Sequence, residues 1–444
     1  MTSTVMANNA AASRLPETPA GAPPLWRSWL VWSIAAVVYL AAFYIRVAPA
    51  VMTTELMRDF HISGQDLGHL SAFYYYAYVL MQIPIGILVD SLGARRLLVL
   101  GSVLAAAGTF LFSSTDSFAV ACAGRAVTGA ATAVGWVVTL KLATHWFPSR
   151  IFATLSGLGL LIGNIGALFA QVPLRLLVES FGWRSVGMAS AVFIFSMGML
   201  ALAAVRDDPS QAGFTSYAPE VLRGGRPAGQ SGWGFLRIFR YTNTWLIFFA
   251  QGGFVGAILS FTGLWGPPFL RARFGLAPTD TALICSLMIV CWASASLLCG
   301  FLSDRLGKRK PIYVTGAALA ALGWLVMFYL PGLPLFGFVA VAALTSFAAG
   351  SVILGFAYAK ESVPAPYLGT IGGLINAGNM IGPMTLQPAI GWMLDRQWDG
   401  RISNGAHAYG LPAFQAAFAL IAGWAVLTCI LGSFTRETNC KQSV

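Results

Sequence analysis

The sequence predicts an all-α integral membrane protein of about twelve transmembrane helices, arranged as two pseudo-symmetric six-helix halves. Three observations carry that prediction. Hydrophobic residues make up 57% of the 444-residue chain and charged ones only 10%, against roughly 25% charged in a soluble domain. Apolar runs of about twenty residues recur throughout, the length that crosses roughly 30 Å of hydrocarbon as helix. A phrase is also repeated: "GILVDSLGARR" at 86–96 returns as "GFLSDRLGKRK" at 300–310, 214 positions later.

Residues 1–27 are rich in Ala, Pro and Thr and too polar for a span, so a disordered cytoplasmic tail without a cleavable signal is expected there. The first half, 28–205, carries six apolar runs at 29–52, 67–89, 97–114, 118–146, 152–178 and 184–205. Residues 206–241 break the pattern. They are rich in Gly and Pro, carry Arg206, Arg223, Arg226, Arg237 and Arg240, and read as a cytoplasmic connecting loop. The second half, 242–435, repeats six runs at 244–270, 278–302, 311–330, 334–359, 367–394 and 411–434, and 436–444 form a cytoplasmic tail.

With the N-terminus inside, 17 Lys and Arg residues fall in cytoplasmic segments, 7 fall outside, and Arg46, Arg125 and Lys141 stay within the spans. That asymmetry predicts a multi-pass protein of the cytoplasmic (inner) membrane with both termini cytoplasmic. The net charge of +11 is therefore a matter of topology, and no basic patch interleaved with aromatics suggests nucleic acid. Six cysteines show no paired or metal-like spacing, so buried free thiols, no metal and no cofactor are expected.

The repeated phrase falls between the second and third helix of each half. A second echo supports duplication. Thr154, Gly157, Leu158, Ile165, Gly166 and Gln171 return 216 positions later as Thr370, Gly373, Leu374, Ile381, Gly382 and Gln387, in the fifth helix of each half. Pro148 and Pro364 keep the same offset. Parallel repeats of this kind place a solute site at their interface near the midplane.

On these residues the chain, from about 29 to 434, resembles the major facilitator superfamily of transporters. The superfamily's loop signature, Gly-x-x-x-Asp-Arg-x-Gly-Arg-Arg, is matched by Gly300, Asp304, Arg305, Gly307 and Arg309. The first copy keeps Gly86, Asp90, Gly93, Arg95 and Arg96 but has Ser91 and Ala94 where Arg is usual. Arg125 and Gly129 in "GRAVTGA" resemble its Arg-x-x-x-Gly signature on helix four. "FYIRVAP", "VRDDPSQAG" and "LWGPPFL" are similar to the organophosphate and sugar-phosphate permeases, which place an arginine on helix one and clamp phosphate with a second on helix seven. Here helix seven offers Gln251 and no cation, so the resemblance implies an organic solute other than a phosphate. It also implies that Arg125 helps couple proton binding to conformational change.

Candidate site residues follow from depth and spacing. Arg46, deep in helix one, is costly there unless it faces a cavity or partner, and is read as the cationic anchor for a carboxylate or similar anion. Tyr74 and Tyr78 share a helix face and are read as cavity lining, with Trp136 and Trp292 as minor candidates. Asn164 and Gln171, and Asn376, Asn379 and Gln387, occupy equivalent helices of the two halves. They either bond to neighbouring helices or line the cavity. Lys141 and His145 lie four apart near a helix end, where snorkelling is easy, and Lys141 is kept as a coupling candidate. Glu361, beside Lys360, is the carboxylate expected to titrate in a proton-driven cycle, with an ion pair to Lys360 as the competing role.

The expected function is a secondary transporter that takes up a small organic solute, an anion by preference, by alternating access. Proton symport is one expectation for the driving ion. The expected partners are that solute, the lipid bilayer and protons, with the chain a monomer. A transporter-like sensor signalling to a kinase is one alternative. An exporter is another, although the antiporter signature calls for Gly-Pro on helix five, where "IGNIGA" carries Asn164. The few histidines form no enzyme-like constellation.

Overall fold

The computed structural model describes residues 21–218, 238, 240–364 and 367–442. Ten stretches among them are long and apolar enough to cross a membrane: Leu25–Val51, Ala94–Ser114, Phe118–Trp146, Thr154–Phe181, Trp183–Ala204, Thr242–Phe274, Pro278–Leu306, Lys310–Tyr329, Leu335–Glu361 and Leu411–Phe434. These are the first, third to tenth and twelfth spans. Helices Gly64–Ser91 and Leu368–Arg396 supply the second and eleventh. Those two are as long as the others but carry more polar side chains, and they pack against each other across the two halves.

Helix ends follow local chemistry. Ser63 caps the second span in a capping box with Asp66, satisfying N–H groups that a helix start leaves open. Gly93 precedes the third span at φ 84° and Gly307 follows the eighth at φ 64°, a region that only glycine enters freely. The repeated phrase thus keeps its second glycine for a backbone reason.

Three features were not legible as runs. Helix Thr53–Phe60 lies between the first and second spans. A two-residue hairpin pairs Ile402–Ser403 with Ala406–His407 before the twelfth span. The seventh span changes to a π turn over Phe261–Trp265 before continuing as Gly266–Phe274.

Contact between spans relies on small residues, the means by which lipid-embedded helices approach closely. A Cβ on Gly166 would stand 2.1 Å from the Leu40 carbonyl oxygen, and one on Gly382 would stand 1.9 Å from that of Gly252. The duplicated glycine therefore does the same job in both halves, fifth span on first and eleventh on seventh.

The halves meet along the second and eleventh spans, the fifth and eighth, and the first and seventh. Call the end where the described chain starts and finishes the near end, and the opposite one the far end. At the far end Gly64 and Gly68 press on Gly391 and on the Gln387–Pro388 backbone. Toward the near end, Gly86, Gly157, Gly300 and Gly373 have nothing within 4 Å of where a side chain would grow. These are two duplicated pairs on four of the spans that face the other half. The halves are closed at the far end and splayed at the near end.

The connecting segment and tails are partly visible. Residues 205–218 fold back on the first half, where Trp146 Nε1 donates to the Arg206 carbonyl and Tyr217 N–H to that of His145. Arg223, Arg226 and Arg237 lie outside the described residues, as does most of the N-terminal tail. The stretch after the twelfth span docks on the second half: Arg436 N–H donates to Asn243 Oδ1 at 2.9 Å.

Candidate functional site

Arg46 sits in the last turn of the helix Leu25–Val47 and is 3% exposed. Its guanidinium carbon lies 4.4 Å from the Phe43 ring centroid, 4.9 Å from that of Tyr78 and 5.7 Å from that of Tyr74. Aromatic faces attract a cation but accept few directed bonds, and Arg46 Nε is buried without a hydrogen-bond partner. Tyr74 and Tyr78 stack at 6.0 Å, one helical turn apart on the second span. Tyr74 is fixed from behind, because Thr132 Oγ1 donates to its hydroxyl at 2.7 Å.

The second half reaches this cluster through Asn376. Its Nδ2 donates to Gln82 Oε1 at 3.0 Å and lies 3.4 Å from the Tyr78 hydroxyl. Arg46, Tyr74, Tyr78, Gln82 and Asn376 therefore form one polar patch where the closed far portion gives way to the splayed near portion. Gln82 was not among the residues singled out from sequence. Its signal was the spacing, since Tyr74, Tyr78 and Gln82 continue one helix face at intervals of four. Asn379 is one turn from Asn376, buried, with Oδ1 unpartnered.

Other candidates lie elsewhere. Trp136 packs on Tyr39 at 5.3 Å and lies against the fifth span at Gly159. Trp292 is half-buried with its indole N–H unpartnered. Asn164 donates to the carbonyl of Leu160 on its own helix. Gln251 accepts from the Tyr313 hydroxyl at 3.2 Å inside the second half and does not reach Arg46. Gln171 and Gln387 both donate to seventh-span carbonyls, of Thr262 and Leu259, at 3.2 Å each. They brace the π turn, and Gln171 does so from the other half.

Arg125 is also buried beside Tyr74, 5.0 Å from its ring. Nη1 donates to the Ile45 carbonyl at 2.9 Å, while Nε and Nη2 are unpartnered. Arg125 also lines a cavity within the first half, together with Tyr44, Thr109, Ser113 and Thr128. Two guanidiniums thus approach one tyrosine ring, a relation that sequence spacing does not reveal.

At the near end the loop residues form latches. Arg309 Nη1 donates to Asp304 Oδ1 at 2.7 Å and Nη2 to Glu361 Oε1 at 2.8 Å. Thr438 also donates to Glu361. Glu361 is thus ion-paired to Arg309, a partner that sequence neighbourhood did not suggest. Glu437 accepts from the backbone N–H groups of Arg309 and Lys310 at 2.9 Å each, and Asp207 accepts from Arg95 N–H at 2.6 Å. Each half therefore caps its third helix with a carboxylate that follows its sixth. Lys141 donates to the Val89 carbonyl in the same region. Gly86 and Gly300 face open space, and Arg96 and Arg305 are exposed. The side chain of Asp90 lies outside the described residues.

His145, 216 positions before Glu361, bonds Asp208 Oδ2 through Nδ1 at 2.7 Å. Burial pushes the Asp208 carboxyl up, but bonds from His145, Ser216 and Ser210 outweigh it and bring the pKa from 3.8 to about 2. Burial likewise raises Glu437, and four backbone N–H groups more than reverse it.

Comparison with known proteins adds the family. The profile of the Major Facilitator Superfamily matches residues 31–269 and 253–439. A protein named the probable sulfoacetate transporter of Cupriavidus necator is 22% identical over 83% of this chain and 87% of its own length. One named the probable galactarate/D-glucarate transporter of Escherichia coli (strain K12) is 23% identical over 82% and 88%. Among solved structures, a bacterial homologue of the human lysosomal transporter Spinster superposes with a TM-score of 0.71 at 17% identity, covering 93% of this chain and 96% of that one.

Proposed function

The chain belongs to the Major Facilitator Superfamily, and we propose that it carries a small organic anion across the cytoplasmic membrane by alternating access. Arg46 is the observation that supports this reading. A guanidinium keeps its proton in any protein setting, and burying a charge is unfavourable unless it is paired. Here it is lined by rings, with one N–H unpartnered, at the junction of two halves. A carboxylate or sulfonate would complete it with charge-assisted bonds. Tyr78, Gln82 and Asn376 offer hydrogen bonds to the remainder of the solute. The two named relatives are transporters of anions by their names, which agrees with that chemistry.

The positive-inside asymmetry puts both termini in the cytoplasm, so the splayed near end opens inward. Uptake is the direction we infer, with a proton as the coupling ion.

Purified protein should be screened by thermal shift against sulfoacetate, D-glucarate, galactarate, inorganic phosphate and a neutral sugar. The wild type is expected to be stabilised by one or more organic anions and not by the sugar, and Arg46→Gln by none. Equal stabilisation of both proteins by the same anion would overturn the assignment. Flux of the identified anion into proteoliposomes without added partners separates a carrier from a sensor, and its sidedness separates uptake from export.

A further inference from the structure

Beside its one guanidinium, the patch at the junction of the halves presents amides, and two of their polar atoms lack a partner. Asn376 Nδ2 donates to Gln82 Oε1 at 3.0 Å, which leaves Gln82 Nε2 as a buried donor without an acceptor. Asn379 is 7% exposed, and its Oδ1 is a buried acceptor without a donor. The second and eleventh spans run antiparallel here, with Gly391 against Gly64 and Asn376 against Gln82. Asn379 therefore comes level with the stretch from Tyr74 to Tyr78, whose rings lie beside the Arg46 guanidinium.

An unmet donor and an unmet acceptor call for a group that does both. A hydroxyl donates one bond and accepts others, whereas an ionised carboxylate only accepts. A carboxylate set among these amides would find the Gln82 N–H but would face the lone pairs of Asn379 Oδ1. It would also find no cation, and a buried charge without a partner is costly. Among the described residues, the Lys and Arg residues of the second half's spans all stand at helix ends. In the first half, Lys141 donates to the Val89 carbonyl and Arg125 to that of Ile45. The cavity that Arg125 lines receives no contribution from Arg46, Tyr78, Gln82 or Asn376.

We propose that the solute carries one negative charge on a hydroxylated body: Arg46 takes the charge, and Gln82 and Asn379 select the hydroxyls. This rests on Arg46 as the anion anchor and narrows the solute to hydroxy monocarboxylates. Gln82 and Asn379 are specificity-determining residues on opposite halves, so a solute of this kind is held by both halves at once. An acid without hydroxyls leaves the two amides unmet. A diacid brings a second charge that nothing in the patch matches. A site built to bond a hydroxyl rejects the analogue lacking it more strongly than an apolar pocket rejects a change of size.

Calorimetry on the purified full-length protein at pH 7 tests this with matched acids. Each set holds a hydroxy monoacid, the diacid of the same carbon number and the acid without hydroxyls. The sets are D-glycerate, tartronate and propanoate; L-threonate, L-tartrate and butanoate; and D-gluconate, D-glucarate and hexanoate. In the set that binds most tightly, the hydroxy monoacid should lead both companions by roughly tenfold or more, the scale of one unmet polar group. Gln82→Met and Asn379→Leu should each narrow its lead over the acid without hydroxyls, a selective change that a merely structural role does not produce. A companion that binds as tightly as the hydroxy monoacid overturns the proposal without any variant, and so does a panel in which no hydroxy monoacid binds. Variants that keep the full lead overturn the roles given to Gln82 and Asn379. Arg46→Gln tells this inference from the reading beneath it. Should that variant bind no acid while the wild type prefers a diacid, the anchor stands and the single charge falls. Should it bind as the wild type does, the anchor itself falls.

Discussion

Arg46 is a buried charge at the junction of the halves, with its Nε left without a hydrogen-bond partner. Its three ring neighbours each offer about 0.5–2 kcal/mol of cation–π attraction, which offsets only part of the cost of burying a charge. On the proposed reading a bidentate anion would supply the remainder. Arg46→Lys keeps the charge but not the planar fork, so affinity should fall by about 1.5–3 kcal/mol, roughly 10- to 150-fold in Kd. Arg46→Gln should abolish binding. Calorimetry with the anion found by thermal shift checks both, and an unchanged Kd for the Gln variant would assign Arg46 a packing role. Gln82 belongs to the same scale. It was readable as the next step of the Tyr74–Tyr78 face, but only its bond to Asn376 distinguishes it from an amide turned into its own half.

Among the helices, glycines decide what touches. Gly382 packs where a Cβ would overlap the Gly252 carbonyl, whereas Gly300 faces open space in mid-helix. The two should respond to alanine with opposite signs. Gly382→Ala forces backbones apart and should cost about 1–3 kcal/mol. Gly300→Ala removes a flexible residue from a helix and should be neutral or stabilising by up to about 1 kcal/mol. Melting of the detergent-solubilised variants reads both; a destabilised Gly300→Ala would mean that this face is covered. The π turn of the seventh span belongs here too. Single π turns are frequent at functional sites, and this one is braced by Gln171 and Gln387, the amides that the duplication singled out.

Over the whole molecule, each half is secured by a segment that returns after its sixth helix. The Asp208–His145 bond joins that segment to the fourth span, and its acid limit follows from the carboxyl's pKa. The pKa of Asp208 is lowered by folding, so its contribution is fully present above the ordinary 3.8 and is lost as pH falls through about 2. The melting temperature of the wild type should therefore decline between those values by more than that of Asp208→Asn, in which the decline should be shallower. Parallel acid melts of the two proteins check this, and coincident slopes would exclude the bond as a stabilising contact.

The sequence by itself determined the spans, the two halves and the family. Hydropathy over about twenty residues is a local property, and a duplication keeps its offset however the chain packs. Arg46 was legible for the same reason, because a charge deep in an apolar run is conspicuous without knowing its neighbours. The tertiary structure decided everything that depends on the rotation of one helix against another. Asn376 reaches Gln82, while Gln251 turns into its own half and Asn164 into its own backbone. Glu361 takes Arg309, 52 positions back, in an ion pair that its neighbour Lys360 gave no hint of. Asp395 meets Gly64 across 331 positions. A helix fixes which side chains share a face, but only packing against other helices fixes where that face points.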